Sequence, residues 1–118
     1  MSVPQQYYLA LDLKDDPQLI ETYLQYHRPE NVWPEITADI RASGVLNMEI
    51  YRVANRLFMI MTVEDDFSFE AKAEADAADP KVKEWETLMA TFQQTLPGAP
   101  EGSKWLRLER IFNLAECP

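Results

Sequence analysis

The 118-residue sequence predicts an α+β domain of ferredoxin-like order, β-α-α-β-β-α-α-β, built on a four-stranded antiparallel sheet. Three observations predict it. Apolar residues alternate in four segments, 7–13, 45–53, 56–63 and 104–114, as strands require. Stretches of helical spacing, two in each half, separate the outer strands from the central pair. Each half also has an aspartate–proline step, Asp16-Pro17 and Asp79-Pro80, suited to opening a helix.

In YYLALDL (7–13), Tyr7, Leu9, Leu11 and Leu13 share one face while Tyr8, Ala10 and Asp12 share the other. KDDP ends the strand. Asp16 is a good acceptor for the first unpaired helix amides, and Pro17 has a preset φ and no amide to leave unpaired. Leu19, Ile20, Tyr23, Leu24 and His27 then follow helical spacing. Pro29 ends that helix, because a residue before proline avoids the α region. A second helix is expected from Trp33–Pro34, with Val32, Ile36 and Ile40 as its apolar stripe and Gly44 as its stop.

VLNMEIYRV (45–53) and RLFMIMTV (56–63) read as two strands joined by Ala54-Asn55, short enough for a hairpin. DDFSFEAKAEADAA follows, with acids expected to cap a helix of alanine-rich sequence. DPKVKEWETLMATFQQ (79–94) restarts it, with Val82, Trp85, Leu88, Met89 and Phe92 on one side. After the PGAPEG loop, KWLRLERIFNL (104–114) is expected to be the last strand. The whole chain, 1–118, is taken as one domain, since its length suits one core and is short for two.

In the strand 56–63, Leu57, Met59, Met61 and Val63 point one way while Phe58 and Ile60 point the other. Helices cover only one face of such a sheet. The other needs a second cover, and the sheet of a second copy is the simplest one. A homodimer is therefore expected.

The net charge of −9 and a pI near 4.5 argue against nucleic acid and anionic membrane surfaces as partners. No run approaches the roughly 20 apolar residues of a membrane span. MSVPQQYY has neither the basic segment nor the apolar core of a signal peptide, so a cytoplasmic protein is expected. With one cysteine, Cys117, and one histidine, no disulfide and no metal centre are expected. Three glycines, each at the end of an element, make no phosphate loop.

That histidine lies in YLQYHRPENVWPEI (23–36). Tyr23 and His27 stand four apart, so on a helix their side chains are neighbours. A phenol beside an imidazole can bind a hydroxylated substrate and move its protons. The plainer reading is a core tyrosine with a histidine at a fraying helix end. Trp85 likewise suits either a core or a wall that stacks on a sugar ring, with Glu86 next to it. The residues by themselves leave both readings open.

At this segment the chain resembles the L-rhamnose mutarotase family. Tyr23, His27, the proline turn and the WPE of Trp33–Glu35 carry the resemblance. NMEIY (47–51), RLFMIM, EWETLM (84–89) and ERIFNL (109–114) continue it in order along nearly the whole chain. The resemblance implies a homodimeric ferredoxin-like fold of dimeric α/β-barrel type and the interconversion of sugar anomers without a cofactor. It implies that His27 is the proton donor and that Tyr23 contacts the sugar. Two sugar-contacting positions depart from the pattern. A tyrosine on the second strand is matched by Met48, and a Trp-Trp pair on the late helix reads Trp85-Glu86. The turn between His27 and Trp33 is also longer by two residues. These departures bear on which 6-deoxy-L-hexose is preferred, L-fucose being as suitable as L-rhamnose.

Mutarotation asks for little. One proton leaves the anomeric hydroxyl and one reaches the ring oxygen, so a group with a pKa near 6.5 serves in both directions. Two rivals share the fold: a cofactor-free monooxygenase, and a non-catalytic module for ligand binding or dimerisation.

Overall fold

The computed structural model describes residues 5–118, so the first four residues of MSVPQQYY lie outside the described residues. Strand β1 (Gln5–Leu13) is followed by helices α1 (Pro17–Tyr26) and α2 (Pro34–Ala42). The hairpin of β2 (Val45–Val53) and β3 (Arg56–Val63) comes next, then α3 (Phe69–Ala78) and α4 (Pro80–Ala90). Two short strands, β4 (Gln93–Gln94) and β5 (Leu106–Arg107), and a 3₁₀ turn at Leu114–Glu116 complete the order. The pairings are antiparallel, in the order β2-β3-β1, with β4 and β5 both on the outer edge of β1. No helix among the described residues is long and apolar enough to cross a membrane.

The α+β order is as expected, with corrections at the last strand. The helix expected through Gln94 stops at Ala90, where Thr91 caps it and its hydroxyl donates to the Leu88 carbonyl at 2.7 Å. Phe92 turns into the core, and Gln93–Gln94 pair with Leu13 and Asp12. The segment 104–114 is a strand only at Leu106–Arg107, opposite Ala10 and Leu9. The fourth strand position is therefore filled by two pieces with a loop between them, giving five strands. Beyond Leu108, whose amide donates to the Tyr8 carbonyl at 2.7 Å, the tail leaves β1 and folds on itself. Arg110 pairs with Glu116 at 2.8 Å, and Asn113 accepts from the Ala115 amide. Alternation alone did not make a strand there, because Ile111 and Phe112 find no apolar cover and stay exposed. Within one chain the sheet is open and does not close into a barrel.

Both Asp-Pro steps cap as expected. Asp16 Oδ1 accepts from the amides of Gln18 and Leu19, and Asp79 Oδ1 from those of Lys81 and Val82. At α3 the cap is Ser68, which accepts from Ala71, and not the acids of the 65–66 pair. The hairpin turn is Ala54-Asn55, with Ala54 at φ 51. Asn55 earns its place by pairing with the end of β1: its carbonyl accepts from the Leu13 amide, and its Nδ2 donates to the Leu13 carbonyl.

The helices cover one face of the sheet in two core clusters. Leu13, Tyr23, Ile36, Leu57, Val82, Trp85, Met89 and Phe92 form the first. Leu9, Val45, Met59, Met61 and Val63 form the second, under Phe67 and Phe69. Lys72 of α3 ties it to α2, its Nζ 3.4 Å from Asp39 and 2.9 Å from Asp76.

The opposite face holds a buried carboxylate. Asp12 is 2% exposed and opposite Arg56, whose Nε and Nη2 donate to its two oxygens at 2.8 and 3.2 Å. This fork-to-fork geometry lets a charge lie inside the sheet. Arg56→Ala leaves that carboxylate unpaired and is expected to lower stability, less than for a fully buried pair because Arg56 is half exposed. Urea unfolding measures this, with the double variant Asp12→Asn/Arg56→Met expected to recover most of the loss.

Candidate active site

The site begins with how α1 ends. Pro29 forbids a further helical turn, and the carbonyls of the last turn, which have no helical amide to accept from, are satisfied one by one. The Leu24 carbonyl accepts from the His27 amide at 3.2 Å. The Gln25 carbonyl accepts from the Arg28 amide at 3.3 Å and from Asn31 Nδ2 at 2.8 Å. The Tyr23 carbonyl is left for the imidazole of His27, whose Nδ1 lies 2.8 Å away.

That bond decides the chemistry of the ring. A carbonyl only accepts, so Nδ1 carries the hydrogen and Nε2 keeps its lone pair. Burial pushes the His27 pKa below its usual value, with the bond to the Tyr23 carbonyl acting in the opposite direction. At neutral pH the ring is an uncharged base with one free nitrogen.

Aromatic rings surround it. The Tyr23 ring lies 4.2 Å from that of His27, centre to centre, and Trp85 meets His27 at 5.7 Å and 64°. Tyr26 stands edge-on to Trp85 at 6.2 Å, and Phe92 lies 6.0 Å from Tyr23. Tyr23 itself is buried, and burial pushes its pKa up to about 12, with the Gln93 side chain bonded to it pulling the other way. Tyr23 therefore stays a neutral phenol, a donor of hydrogen bonds and not a base.

The WPE segment supports this cluster from behind. Trp33 packs on Trp85 at 5.0 Å, while Lys81 of α4 sits 4.8 Å over the Trp33 ring and 3.8 Å from Glu35. Two of the three residues thus clamp α2 to α4 and fix where Trp85 stands.

Of the residues singled out from the sequence, Tyr23, His27 and Trp85 come together. Glu86 is exposed, beside Trp85 on α4. Met48 is half-buried and packs in the second cluster, opposite Met61. Leu57, which belongs with Tyr23 and Trp85, lies four residues along β3 from Met61, so Met48 stands roughly 13 Å away along the sheet. Three residues of the site were missed as such: Tyr26, Phe92 and Gln93. Tyr26 had a signal, three residues after Tyr23 on the same helix. Gln93 had none. Among the described residues no group of three His, Cys, Asp or Glu is placed to hold a metal ion.

Comparison with known proteins identifies the family. A protein-family model described as L-rhamnose mutarotase matches residues 6–114. The chain belongs to the L-rhamnose mutarotase family. Among members with curated names, an L-fucose mutarotase of Xanthomonas campestris pv. campestris is 47% identical over 108 residues, covering 92% of this chain and 86% of that one. An L-rhamnose mutarotase of Shigella flexneri is 28% identical over 107 residues, covering 89% and 95%. The crystal structure of an L-rhamnose mutarotase from Formosa agariphila has the same fold, with a TM-score of 0.66 at 23% identity over 93% of this chain and 98% of that one. Tetracenomycin F2 cyclase from Streptomyces glaucescens shares the fold at a TM-score of 0.60 and 11% identity, over 92% and 97%.

The lowered pKa of His27 has a measurable sign. The folded chain holds this proton less tightly than the unfolded one, so the contribution of the neutral ring is whole above about pH 6.5 and is lost as pH falls through the lowered folded value. The thermal midpoint of the parent should fall more between pH 7 and pH 5 than that of His27→Gln. Equal slopes would show that the ring titrates as if exposed.

Proposed function

We propose that this mutarotase-family protein interconverts the α and β anomers of a 6-deoxy-L-hexose, with His27 as the group that moves the proton and no cofactor. One observation carries the reading: a single histidine with a free, unprotonated Nε2, held by its other nitrogen against an aromatic wall. Nε2 takes the proton from the anomeric hydroxyl. The bond from C1 to the ring oxygen breaks as the C1 carbonyl forms, and the imidazolium returns the proton to that oxygen. C1 then rotates and the steps reverse. No atom is gained or lost, which is why a group that gives and takes protons near neutral pH suffices.

Tyr23 and Trp85 are the residues we assign to the sugar, with faces suited to its C–H surface. Glu86, exposed next to Trp85, is placed at the rim, where a carboxylate accepts from a sugar hydroxyl. Met48 is left out of this site on its position in the second cluster. L-fucose is put ahead of L-rhamnose because the relative at 47% identity is named for it. The neutral His27 and the carboxylate of Glu86 beside Trp85 favour this over a monooxygenase with a large flat apolar pocket.

The proposal includes a homodimer, formed through the uncovered face of the sheet. Tyr8 and Tyr51 there are 47% and 53% exposed, with Phe58 and Ile60 half-buried between them. Leu108, whose amide bonds the Tyr8 carbonyl, is exposed as well, as are the tail residues Ile111 and Phe112. An apolar surface of this kind is seldom left to water. The cytoplasm is the compartment proposed for the protein, as its composition suggests.

Anomer exchange followed by NMR tests the activity. His27→Ala should lower the exchange rate for L-fucose by roughly 10²–10⁴-fold, the usual weight of a positioned acid–base group, with the fold intact. Tyr23→Phe should cost less, since it removes one hydroxyl and keeps the ring. A His27→Ala variant that exchanges L-fucose and L-rhamnose at the parent rate would remove His27 from the mechanism. In sedimentation at micromolar concentration the parent should run as a dimer, and Tyr51→Glu should shift it toward monomer.

A further inference from the structure

Helix α3 meets the rest of the protein with charge. None of its ten residues is buried, and Phe69, its first, packs on the second core cluster. From Glu70 to Ala78, Lys72 and Asp76 alone are withdrawn from full exposure. They stand four apart and so share one face, and that face meets Asp39 of α2. A helix on the surface usually turns an apolar stripe inward. Here the inward pair is a lysine and an aspartate.

The charges in this contact do not balance. Lys72 Nζ lies 2.9 Å from Asp76 and 3.4 Å from Asp39, with the three side chains 18%, 15% and 16% exposed. One ammonium thus serves two carboxylates, and a net negative charge is held largely out of water. Asp76 Oδ1 is fully buried with no hydrogen-bond partner. An ionised oxygen in that state is costly, and so is the repulsion between two acids gathered on one lysine. A single proton taken up by the pair cancels the net charge and relieves the repulsion.

We propose that Asp39, Lys72 and Asp76 form a proton-sensitive clasp between α2 and α3, firmest when the two carboxylates share one proton and looser as the pH rises. Asp39 holds its proton above the usual carboxylate range: burial is the largest cause, Asp76 adds to it, and Lys72 pulls the other way. The charges that act on Asp39 are those of Lys72 and Asp76. On α4, which packs against both helices, Asp79 Oδ1 is taken by the amides of Lys81 and Val82, and Lys81 by Glu35 and Glu84. Lys83 and Glu86 are exposed. On β2, under α2, Glu49 accepts from the Tyr51 hydroxyl and Arg52 donates to the Ala54 carbonyl. With α3 docked, the pair binds its proton more tightly than with α3 undocked, where each acid stands in water. The contribution of that proton is whole below the ordinary value of 3.8 and is lost as pH rises through the raised docked value. Its sign is opposite to that of His27, whose contribution is lost as pH falls.

Amide hydrogen exchange of the full chain, read by NMR as protection factors, tests this by comparing the opening of α3 with that of α4 in the same molecule. In the parent, the protection of α3 relative to α4 should fall by at least about threefold between pH 4.5 and pH 7.5. Asp39→Asn replaces one acid with a neutral side chain of the same size. It should remove that fall and leave α3 better protected than in the parent at pH 7.5. Should this variant not fold, Asp76→Asn makes the same change from the other helix. Lys72→Met leaves two carboxylates with no cation and should loosen α3 further, most of all at pH 7.5. A ratio in the parent that does not change with pH, or one that falls equally in Asp39→Asn, overturns the proposal. So does a Lys72→Met variant with the parent's ratio at pH 7.5. None of these changes touches His27 or involves a sugar, so the outcome is independent of the mutarotase reading.

Discussion

Proline disfavours the α conformation in the residue before it and has no amide to donate, so α1 stops ahead of Pro29 while its last carbonyls still need donors. The chain meets that need with a side chain. The His27 ring gives its Nδ1 hydrogen to the Tyr23 carbonyl, taking the place a backbone amide would have had one turn further on. Everything chemical about the site follows from that one bond. It fixes the tautomer, brings the imidazole against the Tyr23 ring, and leaves Nε2 as the only ring nitrogen with a lone pair. The longer turn before Trp33 does not disturb this, because Asn31 reaches back to the Gln25 carbonyl and closes the helix end.

The same bond would be of little use on a mobile helix end. Trp85 presses on the ring from α4, and Trp85 is itself held by Trp33, which lies under Lys81. Lys81 also reaches Glu35, so the WPE segment acts at the interface of two helices and away from the reacting atoms. An exposed ion pair of this kind contributes little by itself. The place of Lys81 over the Trp33 ring joins α4 to the start of α2 beside Trp85. Positioning is the larger requirement here, since a proton carrier misplaced by 1 Å loses much of its value.

Much of this was legible in the sequence, for definite reasons. Asp16-Pro17 and Asp79-Pro80 announce their helices because capping is local, decided by residues within one turn. The alternation of β3 and its two apolar faces were readable for the same reason, since side-chain direction in a strand depends only on position. Tyr23 and His27 meet because four residues make one helical turn. What failed was long-range. Whether 104–114 pairs with β1 depends on what lies across from it, and only Leu106–Arg107 find partners in the sheet. Gln93 looked like the end of a helix, because nothing local says that Phe92 will dive into the core and draw the chain onto β1.

The two titratable rings of the site are driven apart by a single cause. Burial removes water from both, and it penalises the charged form of each. For Tyr23 the charged form is the phenolate, so its pKa rises to about 12. For His27 the charged form is the imidazolium, so its pKa falls. One apolar environment thus keeps the phenol protonated, a hydrogen-bond donor and a weaker acid than usual, and keeps the imidazole uncharged until it takes a proton. A pair of groups whose pKa values diverge in this way has its roles assigned without any further residue. A carboxylate on Nδ1 of the histidine in place of the backbone carbonyl would have raised its pKa and held the ring protonated, with no lone pair left on Nε2 to take a proton. The neutral carbonyl of Tyr23 orients the ring at little such cost, and this is why the end of a helix serves as the support.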